Sequence, residues 1–242
     1  MVLKIIKMVP EFKTWNNFVK ETGLDSRLDE LLNNLDVLYE NTIVYPEKNQ
    51  VFRAFSECEY DNTKVVILAM DPYPGVYKNN PSACGVAFAT ENGYINPSLK
   101  IIFEELKRTG FPIYGNPVYQ AKSLFNWCEQ GVLLLNASLT VEQGLSGSHS
   151  KIWKPFTEHL ITSLSKKRPD IIWLLMGRDA QKFKTNIVSG NILEVVHPMS
   201  DQYSGKKVFV GSDVFININK ILIKSNKTPI EWGNKDIYYK NN

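Results

Sequence analysis

Polar groups of complementary chemistry stand at the carboxyl ends of four apolar runs in this sequence. Asp71 follows Lys64 to Met70 (KVVILAM), Asn136 closes Gly131 to Asn136 (GVLLLN), Gly177 and Arg178 follow Asp170 to Met176 (DIIWLLM), and His197 follows Asn191 to Val196 (NILEVV). A carboxylate can stabilise a developing cation or orient a water molecule. A carboxamide can read the edge of an amide-like group, and an imidazole can donate to a leaving anion. No cysteine and no second carboxylate joins the set, which makes it a short list of tools.

The runs that carry these groups are nearly continuous in apolar residues rather than alternating, as strands covered on both faces are. That pattern predicts a parallel sheet, and ligands of open parallel sheets bind outside the carboxyl ends of the strands. The four groups are therefore expected to converge. Helical periodicity falls between the runs, in Pro97 to Thr109 with Leu99, Ile102, Phe103 and Leu106 on one face, and in Ile152 to Leu164 with Phe156, Leu160 and Leu164 on another. Strand and helix alternate, so the expected fold is α/β, a single domain with a central four-stranded parallel sheet flanked by helices. Glu11 to Tyr39 reads as two acidic amphipathic helices and Ser212 to Lys224 as a last helix. Without a linker or repeat, residues 1–242 are expected to form one domain, with the acidic helical part to about residue 62 packed on it.

Composition removes several function classes. The longest apolar runs, Val65 to Met70 and Ile171 to Met176, fall far short of the ~20 residues that cross a bilayer. Met1 to Pro10 lacks the length and cleavage site of a secretory signal, so a cytoplasmic location is expected. Cys58, Cys84 and Cys128 are odd in number and form no C-x-x-C, which supports neither a disulfide framework nor a cysteine-held metal. Charge is uneven: residues 1–62 sum to −4 and residues 151–242 to +7. A basic half suits a polyanion partner. A lysine-rich solvated surface fits the same counts.

Further strings extend the pattern in chain order. They are Ala69 to Gly75 (AMDPYPG), Gly85 to Ala89 (GVAFA), Asn96 to Leu99 (NPSL), Gly131 to Val141 (GVLLLNASLTV), Ser148-His149, Leu174 to Gln181 (LLMGRDAQ), His197-Pro198 and Pro229 to Trp232 (PIEW). Singly each is weak: D-P-x-P-G is an ordinary turn, Asn136 could cap a helix, and Phe88 and Tyr73 could be core. His149 and His159 read as structural, the latter on a solvated helix face. Together, from about Lys64 to Trp232, the strings resemble the motifs of family 1 uracil-DNA glycosylases.

The resemblance implies a DNA repair enzyme that flips uracil out of the stack and hydrolyses its bond to deoxyribose, leaving an abasic site. It implies that Asp71 stabilises the cationic sugar and orients water, and that a neutral His197 donates to the departing uracil. Asn136 would pair with uracil, Phe88 would stack on it, Tyr73 would exclude a thymine methyl, and backbone N–H groups at Met70 and Asp71 would assist at the uracil carbonyl. Ser98, Gly177 and the loop after His197, including Ser200, would grip phosphates.

The chain departs from the family at Pro74, in place of a usual histidine, and at Met70, in place of a glutamine. Arg178 adds a phosphate-binding charge. Met199 is the expected wedge for the gap left by the flipped base, and Asp201 puts a negative charge near DNA. No metal or cofactor is implied. The expected partners are uracil-containing DNA, single- or double-stranded, with a protein inhibitor or replication partner as a further candidate, no membrane and a monomeric chain. A catalytically weakened adaptor and a glycosylase of altered pyrimidine choice are the alternatives.

Overall fold

The computed structural model describes residues 11–115 and 124–234. Met1 to Pro10, where the secretory-signal reading falls, lies outside them. The described strands are β1 (Val44–Tyr45), β2 (Val65–Ala69), β3 (Val76–Tyr77), β4 (Asn80–Pro81), β5 (Val132–Asn136), β6 (Val141–Glu142), β7 (Ile172–Met176) and β8 (Asn191–Val195). The helices used below are α1 (Asn16–Thr22), α2 (Leu28–Asn41), α3 (Arg53–Glu57), α4 (Pro97–Arg108), α5 (Ser150–Lys167), α6 (Arg178–Gln181), α7 (Ser200–Ser204) and α8 (Val214–Lys224).

The four expected runs form one sheet in the order β5-β2-β7-β8, parallel throughout. β2, β5 and β7 are buried along their whole length, as double-sided coverage requires. β8 departs from the expectation of coverage on both faces. It is an edge strand with a neighbour on one side only, and of its residues only Val195 is buried. Asn191 and Glu194 are exposed, which suits an edge that must not pair with other chains.

Helices cover the sheet through the stripes visible in the sequence. α4 opens with proline at its first turn and buries Leu99, Ile102, Phe103 and Leu106. α5 buries Phe156, Leu160 and Leu164 together with Trp153 and Ile161. α2 turns Leu28, Leu31 and Leu35 inward. These residues belong to one buried cluster that runs from Phe12 to Trp232 and joins the acidic helical segment to the sheet. Trp232 of the PIEW string is core: its ring meets Trp127 edge-on at 5.0 Å, and Trp127 Nε1 donates to its carbonyl. His159 does not sit on a solvated face, because its Nε2 contacts the Thr22 carbonyl at 2.8 Å and ties α5 to the end of α1. No helix among the described residues is long and apolar enough to cross a membrane.

Candidate active site

The parallel register aligns the strand ends. Ala69 pairs with Asn136, and beyond them the Ala137 and Ser138 N–H groups donate to the carbonyls of Ala69 and Met70, each at 2.9 Å. Asp71 and Asn136 are thereby held on adjacent strands, while β7 and β8 deliver Gly177 and His197 beside them. A cavity of about 370 Å³ opens at this edge. Eleven of the twelve expected site residues line it: Met70, Asp71, Tyr73, Pro74, Phe88, Ser98, Asn136, Gly177, Arg178, His197 and Met199. Ser200 stands just outside, at the first turn of α7, where its N–H donates to the His197 carbonyl at 2.8 Å.

Asp71 is held as an acceptor. Its Oδ2 receives the Gly147 N–H at 2.6 Å and the Ser146 hydroxyl at 2.9 Å. Burial raises its pKa, these two donors oppose the rise, and the negative charge of Asp179 adds to it; the net shift is upward. The structure keeps a carboxylate in a partly dry place and offsets only part of the cost, the condition under which it interacts strongly with a cation.

His197 is held as a neutral donor. The Met199 N–H donates to its Nδ1 at 3.2 Å, which fixes the tautomer with the proton on Nε2. Burial lowers its pKa, opposed by Asp179, with a net downward shift. Gly177 permits the placement of this ring. It has φ +89° and ψ 162°, a region essentially confined to glycine, and a Cβ built there would lie 2.9 Å from the His197 Cβ.

Asn136 is 6% exposed, and its Oδ1 is buried without a hydrogen-bond partner among the described residues. An unmet buried acceptor costs about 1–3 kcal/mol, so one that lines a cavity marks a place where a ligand donor belongs. Phe88 lies 6.3 Å from the His197 ring, centre to centre, and adopts φ +63°, a conformation costly for an aromatic residue. Tyr73 is pinned: its hydroxyl pairs with the Ser98 hydroxyl at 2.8 Å and reaches the Phe88 carbonyl at 3.3 Å. Ser98 is buried, so its hydroxyl faces Tyr73 rather than solvent. Burial raises the Tyr73 pKa strongly, which keeps the phenol neutral.

Several residues in or behind the cavity wall were not singled out from sequence. Ser146 and Gly147 support Asp71 from 75 and 76 residues away, just before the Ser148-His149 string, and spacing gives no sign of that role. Asp179 acts electrostatically on both Asp71 and His197. Asn96 presents a buried Nδ2 without a partner among the described residues, and Tyr203 stands at the rim. His149 is structural, as expected, with Nδ1 2.9 Å from the Thr140 hydroxyl. Asp201 keeps the negative charge expected of it, its carboxyl held below the ordinary value by backbone donors that outweigh burial. Its carboxylate accepts three backbone N–H groups, from Val208, Phe209 and Val210, because the following chain folds back over it. No cluster of three or more histidine, cysteine or acidic side chains among the described residues could hold a metal ion.

A parallel α/β fold whose strand ends gather a supported carboxylate, a neutral imidazole and an unmatched carboxamide defines a hydrolase-type site for a planar, amide-bearing ring. Residues 55–221 match the model of the Uracil DNA glycosylase superfamily. The uracil-DNA glycosylase of Mycoplasmopsis pulmonis (strain UAB CTIP) is 41% identical over 223 residues, covering 90% of this chain and 96% of that protein. Uracil-DNA glycosylase 1 of Listeria innocua serovar 6a is 35% identical over 224 residues, covering 91% and 97%. The crystal structure of mimivirus uracil-DNA glycosylase aligns with a TM-score of 0.81 at 25% identity, covering 93% of this chain and 88% of that one. A mimivirus UNG variant in complex with UGI aligns at 26% identity, also with a TM-score of 0.81, covering 93% and 89%. The chain belongs to the uracil-DNA glycosylase superfamily.

Proposed function

We propose that this chain removes uracil from DNA by hydrolysing its N-glycosidic bond, with Asp71 and His197 as catalytic residues and Asn136, Phe88 and Tyr73 as the base-recognition set. The observation that carries the reading is the unmatched Asn136 Oδ1 in the wall of a cavity that also holds Asp71 and His197. Uracil presents N3–H as a donor and O4 as an acceptor, so a carboxamide satisfies both. Cytosine presents an acceptor at N3, which would leave the Asn136 oxygen facing another lone pair.

The C1′–N1 bond breaks with its electron pair passing to the base. Charge then develops at both ends. Asp71, its orientation fixed by Gly147 and Ser146, stabilises the cationic sugar and aligns the water that attacks C1′. That water gives its proton to Asp71 as its oxygen joins C1′, and the released uracil anion takes up a proton from solvent, to which Asp71 returns the one it holds. His197 donates a hydrogen bond from Nε2 to the uracil oxyanion and stays neutral. Phe88 stacks on the ring, backbone at Met70 and Asp71 assists at a carbonyl, and Tyr73 fills the space that a 5-methyl group would need. Pro74, Gly177 and Arg178, which line the cavity, and Ser200 beside it are the residues that would contact the sugar-phosphate chain. Ser98 contributes through the Tyr73 hydroxyl.

The chain acts as a single-domain monomer in the cytoplasm, with neither metal nor cofactor. Its basic C-terminal half favours a polyanion. The UGI complex of the mimivirus relative supports a protein inhibitor as a further partner of this chain. The reading is tested by alkali-induced strand breakage with single-stranded uracil, U:A, U:G and T:G substrates. Breakage at every uracil and none at thymine is expected. Breakage at T:G would assign a broader pyrimidine choice, and binding without breakage an adaptor.

A further inference from the structure

A tight hairpin leaves the cavity wall at Pro74 and rejoins it at Ala83. β3 and β4 pair Tyr77 with Asn80, so Lys78 and Asn79 form the whole turn, at φ 49° and 62°. Two positive φ values in a row give a turn whose twist follows that of the strands, yet glycine or asparagine is the usual choice, and a lysine there is held at a cost in strain. Asn92 fixes this hairpin to the segment that follows. Its Nδ2 donates to the Asn80 and Pro81 carbonyls at 3.1 and 3.2 Å, and its Oδ1 accepts the Tyr94 N–H at 3.1 Å. That segment re-enters the cavity wall at Asn96 and continues into α4.

The brace brings two aromatic rings and two cations together. Tyr77 and Tyr94 stack with centroids 5.0 Å apart and planes 23° from parallel. Lys78 Nζ stands 5.4 Å from the Tyr77 centroid and Lys100 Nζ 5.8 Å from that of Tyr94. Both tyrosines are partly exposed, both lysines are exposed, and neither ammonium meets a carboxylate among the described residues. We propose that this cluster is an accessory surface for unpaired nucleotides of the uracil-bearing strand, whose bases stack on the tyrosines while the two lysines turn to the phosphates. The inference rests on the uracil-excising function proposed above. Bases inside a duplex have both faces covered, so only an unpaired strand offers its bases to such rings. At an exposed site an ammonium over a ring shifts an equilibrium by about 2- to 5-fold, whereas a base on an aromatic side chain shifts it by roughly 5- to 150-fold. A base therefore displaces the ammonium, which is then free for the phosphate beside that base. Cations combined with aromatic faces hold a single strand without reading its sequence, which suits an enzyme that meets uracil in any context.

The test is the half-saturating concentration for single-turnover uracil release by the full chain, on a uracil trinucleotide and on a single strand of about 16 nucleotides, the upper end of the lengths such surfaces hold. The unmodified chain should prefer the longer strand. Tyr77→Ala with Tyr94→Ala is expected to cut that preference by roughly 5- to 150-fold. Tyr77→Phe with Tyr94→Phe should keep it, because the rings and not the hydroxyls stack. Lys78→Ala and Lys100→Ala should each lower the slope of log affinity against log salt by about 0.7 on the longer strand. A preference that survives loss of both rings overturns the proposal, as does an equal loss on the two lengths or a loss of the same size on a blunt duplex. If the alanine variant fails to fold, Lys78→Glu decides, since that side chain is exposed, and an undiminished preference then overturns the proposal. No uracil release from either strand by the unmodified chain would instead refute the functional reading.

Discussion

Gly177→Ala tests how the fold places His197. At φ +89° and ψ 162°, a non-glycine residue carries backbone strain of roughly 1–3 kcal/mol. The added Cβ also falls 2.9 Å from the His197 Cβ. Carbon atoms pack best at about 3.5–4.0 Å, so His197 must retreat by roughly 0.6–1.1 Å. A misplacement of about 1 Å costs on the order of 10²-fold in rate, and the loss is bounded by the roughly 10²- to 10³-fold that one oxyanion donor contributes. The assay pairs thermal melting with single-turnover excision from single-stranded uracil DNA well below the melting temperature. For a chain of this size about 2–4 °C is lost per kcal/mol, so Tm should fall by roughly 2–12 °C. The rate should fall about tenfold to a hundredfold, and adding His197→Leu should cost far less than it does in the unmodified chain. A melting temperature that falls while the rate holds would refute the claim that Gly177 sets the position of His197.

Asp71→Asn should reduce excision by roughly 10²- to 10⁴-fold without lowering thermal stability. A carboxyl whose folded pKa lies above 3.8 weakens the fold at neutral pH, so removing its charge cannot cost linkage energy; a lower Tm together with a normal rate would contradict both halves of this argument. The pH profile should stay level from mildly alkaline conditions down to about pH 6.5 and fall only on the acid side, where Asp71, raised, gains its proton and His197, lowered, loses neutrality. A rate that drops as pH rises through 6.5 would show a protonated histidine at work. Asn136→Asp should add slow cytosine release, read as strand breakage at C:G sites, and unchanged base choice with full uracil activity would make Asn136 structural.

The parts of the fold that depend on local pattern were legible. Apolar runs of strand length and stripes at helical spacing placed the four strands, α4 and α5, because burial on both faces or on one leaves a periodic trace. β8 was misread at its surface, since NILEVV carries too little alternation to reveal that only Val195 of the strand is buried. α8 starts at Val214 rather than Ser212, because Glu105 captures the Gly211 and Asp213 N–H groups ahead of it. The strand-end side chains were legible because a parallel sheet gathers its carboxyl ends. Their supports were not. Gly147 reaches Asp71 across 76 residues, and the three N–H groups around Asp201 exist only after the chain has folded back. The carboxylate read from sequence as a charge near DNA is, in the fold, a loop anchor as well.

One carboxylate and one neutral imidazole at the strand ends are proposed to excise uracil. The most direct test is to quantify free uracil released from a single-stranded oligonucleotide by the full chain in the presence of EDTA, beside Asp71→Asn and the Asp71→Asn, His197→Leu double variant. The unmodified chain should release one uracil per uracil site and leave an intact strand that breaks only on alkali treatment, while both variants should release almost none in the same time. Release that requires added metal, or that persists at the unmodified rate in the double variant, would contradict it.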